Sequence, residues 1–193
     1  MVCIKIGGKI NMKRIAFTGH RPNKLYGYDM NNEYYDKLKI ILKDMLKDEI
    51  YKYNADTFIT GRALGFDTLA FDVVKDLIDD YGGEHILAIP FEKQPIKWPR
   101  ESQIKYRNIK LLSTCIYVDD YEKYNIKGVR GGEYHPAKLQ KRNEWMVDHC
   151  DLLIGCWDGV KKGGTWNCLK YAMNLGKEIK IINPKNFETY VLK

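Results

Sequence analysis

Two absences bound this chain first. No apolar run approaches the roughly 20 residues that a bilayer-spanning helix requires, and the opening MVCIKIGGKINM is too short and too glycine-broken to be the apolar region of a signal peptide. A cytoplasmic protein with no membrane partner is the expectation. Disulfide chemistry has equally little to build on. The five cysteines, Cys3, Cys115, Cys150, Cys156 and Cys168, are odd in number, contain no C-x-x-C pair and mostly fall in apolar segments, which reads as buried, reduced thiols. The four histidines, His20, His85, His135 and His149, are scattered, with none at i, i+4 spacing from another ligand, so no dedicated metal site is expected. Both G-x-x-x-x-G-K-[ST] and G-x-G-x-x-G are missing, which takes the main support from ATPase and standard dinucleotide readings, and no cofactor is expected. Low-complexity blocks and fixed-period repeats are missing as well.

What is present is a chain of 193 residues, 45% hydrophobic, with the apolar positions spread along its length. That suffices for a sizeable core, and one domain over 12–193 is the default. Residues 1–11 read as a detachable extension, because MKRIAF from Met12 is a natural beginning just before a strand. The formal charge of +7 attracts anions at long range, be they phosphates, nucleic acids or an acidic protein. Because Lys and Arg are interleaved with Asp and Glu, a soluble surface with surplus lysine fits better than a nucleic-acid stripe.

Apolar runs and helical periods alternate from end to end. Ile15 to Thr18 reads as a strand, and Asn32 to Tyr53 as a helix with Leu38, Ile41, Leu42, Met45, Leu46 and Ile50 on one face. ADTFITG is the next strand, followed by a helix carrying Leu69, Val73, Leu77 and Ile78. HILAIP, TCIYVD and DLLIGCWDG are further strands, and EIKIINP reads as the last. Helices are expected near Pro99 to Leu112, from about Lys138 to Cys150, and over GTWNCLKYAMNLG up to Gly176. Continuously apolar strands with crossover helices specify an α/β, Rossmann-like, doubly wound and mostly parallel sheet with helices on both faces. The long aperiodic loop, 119–137, carries Tyr121, Tyr124 and Tyr134 and is either an aromatic flap or a solvated linker.

In such a sheet all parallel strands end on one edge, where ligands bind. Three strand ends carry similar chemistry: Thr18-Gly19-His20-Arg21, then Thr60-Gly61-Arg62 with Gly65 and Asp67, then Gly155 through Thr165. Glycine allows close backbone approach, and a following helix start offers free N–H groups and a positive dipole end. Thr18 can supply a hydroxyl, His20 a donor and Arg21 a planar fork for phosphate; a plain turn at Gly19 and Pro22 with Arg21 solvated is an equal alternative. Gly61 and Gly65 can contact phosphate or sugar while Asp67 accepts from a ribose hydroxyl, or Asp67 simply stabilises a first helical turn. Gly163-Gly164-Thr165 at a helix start is the strongest anion cradle. Trp157 and Asp158 flank it, the indole either stacking on a base or packed under a loop.

These motifs, FTGHRP, ITGRALGFDTLA, IPFEKQPIKW, KRNEWMVDHCDLLIGCWDG and GGTWNCLKYA in that order, resemble the YpsA-like branch of the SLOG superfamily, the Rossmann-like group that includes the Lonely Guy phosphoribohydrolases and DprA. The resemblance covers about Met12 to Pro184. It implies a nucleotide-derived ligand held by Gly19, Arg21, Gly61, Gly65, Asp67, Arg142, Asn143, Gly163, Gly164 and Thr165, and it suggests a homo-oligomer. It also raises Trp98 and Tyr106 as ligand neighbours, against their plain reading as helical surface residues. Enzymes of the superfamily cleave an N-glycosidic bond, and the Lonely Guy pattern runs G-G-x-G-T-x-x-E with an upstream arginine. Arg142 matches the arginine, but Cys168, preceded by Asn167, stands where the glutamate belongs. A ribosyl cation needs a carboxylate beside it, so the expectation is a non-catalytic binder or sensor of a nucleotide-derived small molecule. N-glycoside hydrolysis is the alternative, with Arg142 and a carboxylate relocated to Asp67, Asp158 or Glu144. Single-stranded nucleic-acid binding ranks third.

Overall fold

The computed structural model describes residues 12–193. The extension read at 1–11, with Cys3, lies outside the described residues. Six parallel strands, β1 (Lys13–Gly19), β2 (Ala55–Thr60), β3 (Glu84–Ile89), β4 (Thr114–Tyr117), β5 (Leu152–Cys156) and β6 (Glu178–Ile182), and an antiparallel edge strand, β7 (Thr189–Val191), form one sheet in the order β4-β3-β2-β1-β5-β6-β7. Five helices, α1 (Glu33–Tyr53), α2 (Phe66–Tyr81), α3 (Arg100–Leu111), α4 (Pro136–Asp148) and α5 (Gly164–Asn174), cover the two faces. This is the Rossmann-like, doubly wound α/β architecture, with its topological switch between β1 and β5.

Alternation along the strands assigns each helix its face. Ile15 and Phe17 of β1, with Leu152 and Ile154 of β5, pack against Leu38, Leu42 and Leu46 of α1 and Leu69 and Val73 of α2. Ala16, Leu153, Ile179 and Ile181 point the other way, onto Trp145 and Met146 of α4 and Leu169 and Ala172 of α5. Leu87 and Ile89 of β3 meet Tyr106 and Ile109 of α3. Burying both faces is why the inner strands are apolar without interruption. The start of α1 is set by Asn32, whose side chain accepts from the amides of Tyr34 and Tyr35 at 3.2 Å each, and its end by Asn54 in the left-handed region at φ 53°.

Two segments differ from the sequence reading. EIKIINP is not the last strand, because Thr189–Val191 returns antiparallel on β6; all three of its residues are exposed, so no apolar pattern announces it. The stretch 119–137 is neither a bare flap nor a solvated linker. Two 3-10 turns, Val118–Asp120 and Glu122–Tyr124, shape it, α4 already begins at Pro136, and Tyr124 is buried with its hydroxyl donating to Asp148 Oδ2 at 2.6 Å. Lys138 Nζ pairs with Asp119 Oδ2 at 2.8 Å and donates to the Arg130 carbonyl at 2.7 Å, tying the middle of the segment to α4. Long-range pairing of this kind leaves no periodic trace in the chain.

Candidate functional site: a polar cavity at the carboxyl edge

The switch point gathers the three glycine-bearing turns. β1 lies between β2 and β5, so its exit is hydrogen-bonded to both neighbours' exits: the His20 amide donates to the Cys156 carbonyl at 3.2 Å, and the Phe66 amide, opening α2, donates to the His20 carbonyl at 3.2 Å. Close approach needs glycine. A Cβ on Gly19 would meet Phe66 Cβ at 2.5 Å, and one on Gly65, where φ is +100°, would meet the His20 carbonyl oxygen at 2.5 Å. Between these turns and α4 opens a cavity of about 400 Å³.

Of the residues singled out in the sequence, Thr18, Gly19, His20, Arg21, Asp67, Arg142, Asn143, Gly163, Gly164 and Thr165 line this cavity together. Gly61, Arg62, Gly65, Glu144, Trp157 and Asp158 do not line it, and the structure gives each another task. Gly61 leaves room for the Arg142 guanidinium, whose Nη1 would lie 1.5 Å from a Cβ there. Arg62, 1% exposed, donates to Thr68 Oγ1 at 2.5 Å inside the protein. Glu144 accepts from Lys141 at 2.8 Å on α4. Trp157 is buried, donates its indole N–H to the Val160 carbonyl at 2.9 Å and stacks on Trp166 at 5.3 Å. Asp158 braces the cavity wall from behind, its Oδ1 lying 2.9 Å from His20 Nε2. Burial works against ionising Asp158, but the Val160 amide and His20 outweigh it and hold the carboxyl below its usual range.

The cavity also has walls that sequence reading missed: Asn23, Lys24, Ala63, Leu139 and Lys162. Lys24 and Lys162 had a local signal, since each stands within a few residues of a glycine-bearing turn. Leu139 had none, being one apolar helical residue among several.

Electrostatically the floor is a buried pair of opposite charges. Arg142 and Asp67 are each 4% exposed. Burial pushes the Asp67 carboxyl above its usual range, opposed by the Arg142 charge and the Ala63 amide, which donates to Asp67 Oδ2 at 3.2 Å. Burial likewise pulls the Arg142 guanidinium down, opposed chiefly by Asp67. Arg142 Nε donates to Asn143 Oδ1 at 3.0 Å, but its Nη1 has no hydrogen-bond partner among the described residues. Above this floor stand Arg21, Lys24 and Lys162 and the start of α5, where Gly163 holds φ +89° and the first amides of the helix are free to face a guest. Cys168, one turn into α5, is fully buried and does not line the cavity, and burial pushes its thiol up to about 12.

The YspA SLOG family model matches residues 15–187. The chain belongs to the YspA SLOG family. Among curated relatives of this SLOG chain, the uncharacterized SPbeta prophage-derived protein YoqJ of Bacillus subtilis is 38% identical over 82% of this chain and 95% of its own length. A UPF0398 protein of Lactobacillus acidophilus is 26% identical, covering 85% of this chain and 81% of that protein. Among solved structures, DNA processing protein A (DprA) from Streptococcus pneumoniae superimposes with a TM-score of 0.57 at 15% identity over 90% of this chain and 51% of that chain. DprA from Helicobacter pylori, whose structure is described in terms of single-stranded DNA binding, gives a TM-score of 0.56 at 17% identity over 90% of this chain and 67% of that chain. These likenesses concern the fold, and this SLOG chain spans about half the length of the pneumococcal DprA chain.

Proposed function

We propose that the chain binds a phosphate-bearing, nucleotide-derived ligand in the carboxyl-edge cavity and releases it unchanged. The observation that carries this reading is the gathering of Arg21, Lys24, Lys162, Arg142 and the start of α5 around one cavity at the switch point. A phosphate seated on the α5 amides would supply the negative charge that these cations and the helix start attract. Asp67, the one carboxylate in the wall among the described residues, repels a phosphate and suits the sugar end of the same ligand. Membership of the SLOG family and the single-stranded DNA bound by the Helicobacter relative in fold support a ligand of nucleotide chemistry. The absence of turnover is supported by Cys168: a buried neutral thiol outside the cavity cannot serve as the carboxylate of the Lonely Guy pattern.

N-glycoside hydrolysis is the second reading, and Asp67 is what favours it, as a carboxyl held by burial above its usual range in the cavity where a glycosidic bond would lie. A thermal-shift screen over nucleoside mono- and diphosphates and ADP-ribose, with chemical analysis of each mixture afterwards, separates the two. Ligand at about 100 times Kd adds about 2.7 kcal/mol of stability, which for a chain of this size is about 5–10 °C. Stabilisation by a nucleotide recovered intact is the expected result. Base release that Asp67→Asn abolishes would establish the hydrolase instead, and no stabilisation by any member of the panel would sink both.

A further inference from the structure

A second chamber, of about 220 Å³, adjoins the first: Arg21 and Leu139 line both. Its other walls add aromatic surface to the charge: the rings of Phe91, Trp98 and Tyr134 and the carboxamide of Gln94, with Ile96, Lys93 and Lys97 at its border. Both sides of it are held in place. On one side, successive turns bond Gln94 N to the Phe91 carbonyl at 3.1 Å and Trp98 N to the Pro95 carbonyl at 2.9 Å, and Gln103 Nε2 clamps the Trp98 carbonyl at 2.9 Å. On the other, Asp119 Oδ2 accepts from the Gly132 amide at 2.7 Å and from Lys138, fixing the segment that carries Tyr134. Tyr134 stands edge-on to Phe91 at 5.7 Å yet remains 60% exposed, a ring placed beside a space rather than packed into the core. Gln94 is 8% exposed, and its two protein contacts are stretched, Nε2 to the Gly61 carbonyl at 3.5 Å and Oε1 from the Tyr106 hydroxyl at 3.4 Å. A buried amide with bonds that long is under-satisfied.

We propose that this chamber is the base subsite: a flat heterocycle stacks against Tyr134 and Trp98, its edge hydrogen-bonded by Gln94, while the phosphate of the same nucleotide occupies the adjoining cavity. The inference rests on the nucleotide-binding reading above and narrows it to ligands that carry an intact base. Every base offers a π-face to such rings, and a carboxamide presents a donor and an acceptor side by side, the pattern that adjacent polar atoms on a base edge match.

Calorimetric titration with AMP, GMP, CMP, UMP and ribose 5-phosphate tests it, on the wild-type chain and on Tyr134→Ala, a change at an exposed ring that the fold tolerates. At least one nucleotide should bind about fivefold or more tighter than ribose 5-phosphate, and Tyr134→Ala should shrink that ratio by about fivefold. Gln94→Ala should shrink it too, and unequally among the four bases. If ribose 5-phosphate binds as tightly as every nucleotide, or if Tyr134→Ala leaves the ratio intact, the base subsite falls while phosphate binding in the first cavity stands. If neither nucleotides nor ribose 5-phosphate bind, the base subsite falls, and the nucleotide-binding reading falls with it when the diphosphates and ADP-ribose of the thermal-shift screen give no stabilisation either.

Discussion

Gly61 and Arg142 show how a single missing side chain decides the site. The glycine leads from β2 into the turn before α2, and the guanidinium of Arg142 lies across it where a Cβ would come within 1.5 Å of Nη1, 2.1 Å of Cζ and 2.7 Å of Nε. In Gly61→Ala the arginine must leave its buried position, because the backbone of a central strand exit cannot. The expected cost is about 1–3 kcal/mol, in line with overpacking, together with loss of any nucleotide-induced thermal shift. A cycle with Arg142→Ala isolates the cause: if the clash is with the guanidinium, the double variant is no less stable than Arg142→Ala alone. Strict additivity in that cycle, or a Gly61→Ala protein with wild-type stability and ligand response, would show that the glycine does not make room for the arginine. Sequence reading gave Gly61 to phosphate or sugar contact because glycines at strand ends often serve that way. A sequence shows that a Cβ is missing but not which atom fills the space. Arg142 itself entered only through the family resemblance, since nothing in the spacing of α4 marks which basic residue among Lys138, Lys141 and Arg142 faces the cavity, Lys138 being buried as well but turned to Asp119.

At the scale of elements, legibility followed periodicity. The apolar stripes of α1 and α2 and the uninterrupted inner strands were plain because each is written into consecutive residues with a period set by the backbone. β7 and the turns over Val118–Tyr124 were not, because their partners, β6 and α4, lie elsewhere in the chain. The start of α5 belongs to the legible class, and its two glycines make separable contributions. Gly163 sits at φ +89°, ψ −176°, a region that side chains disfavour, whereas Gly164 opens the helix without a positive φ and with nothing within 4 Å of where a Cβ would stand. Gly163→Ala should therefore cost about 1–3 kcal/mol and weaken phosphate binding by turning the first amides of α5 away. Gly164→Ala should leave the melting temperature within about 2 °C of wild type, since surface changes free of such strain stay within about 0.5 kcal/mol. Equal melting temperatures for the two variants would remove the backbone argument for the cradle.

The whole molecule adds its charge of +7, a long-range attraction for any anion that does not by itself say which one. Ionic strength separates a local phosphate site from a surface that tracks a nucleic-acid strand. A mononucleotide seated between Arg21, Lys24, Lys162 and the α5 amides displaces few counterions, so its affinity should fall only a few-fold between about 50 and about 200 mM salt. A single strand contacted at about six phosphates would lose about 300-fold over the same range, because log affinity falls with log salt at a slope of about −0.7 per contact. The distribution of charge favours the first outcome. On α1 and α2 exposed lysines are accompanied by carboxylates, as in the Lys52–Asp48 and Lys75–Asp79 pairs, whereas Arg21, Lys24 and Lys162 gather around one cavity at the edge of the sheet rather than along a groove. Fluorescence titrations of AMP and of a labelled oligothymidylate at both salt concentrations would decide. A steep slope for the oligonucleotide, coupled with mononucleotides that fail to compete for it, would move the binding surface out of the cavity and onto the exterior, and would make the fold shared with DprA a guide to its ligand as well.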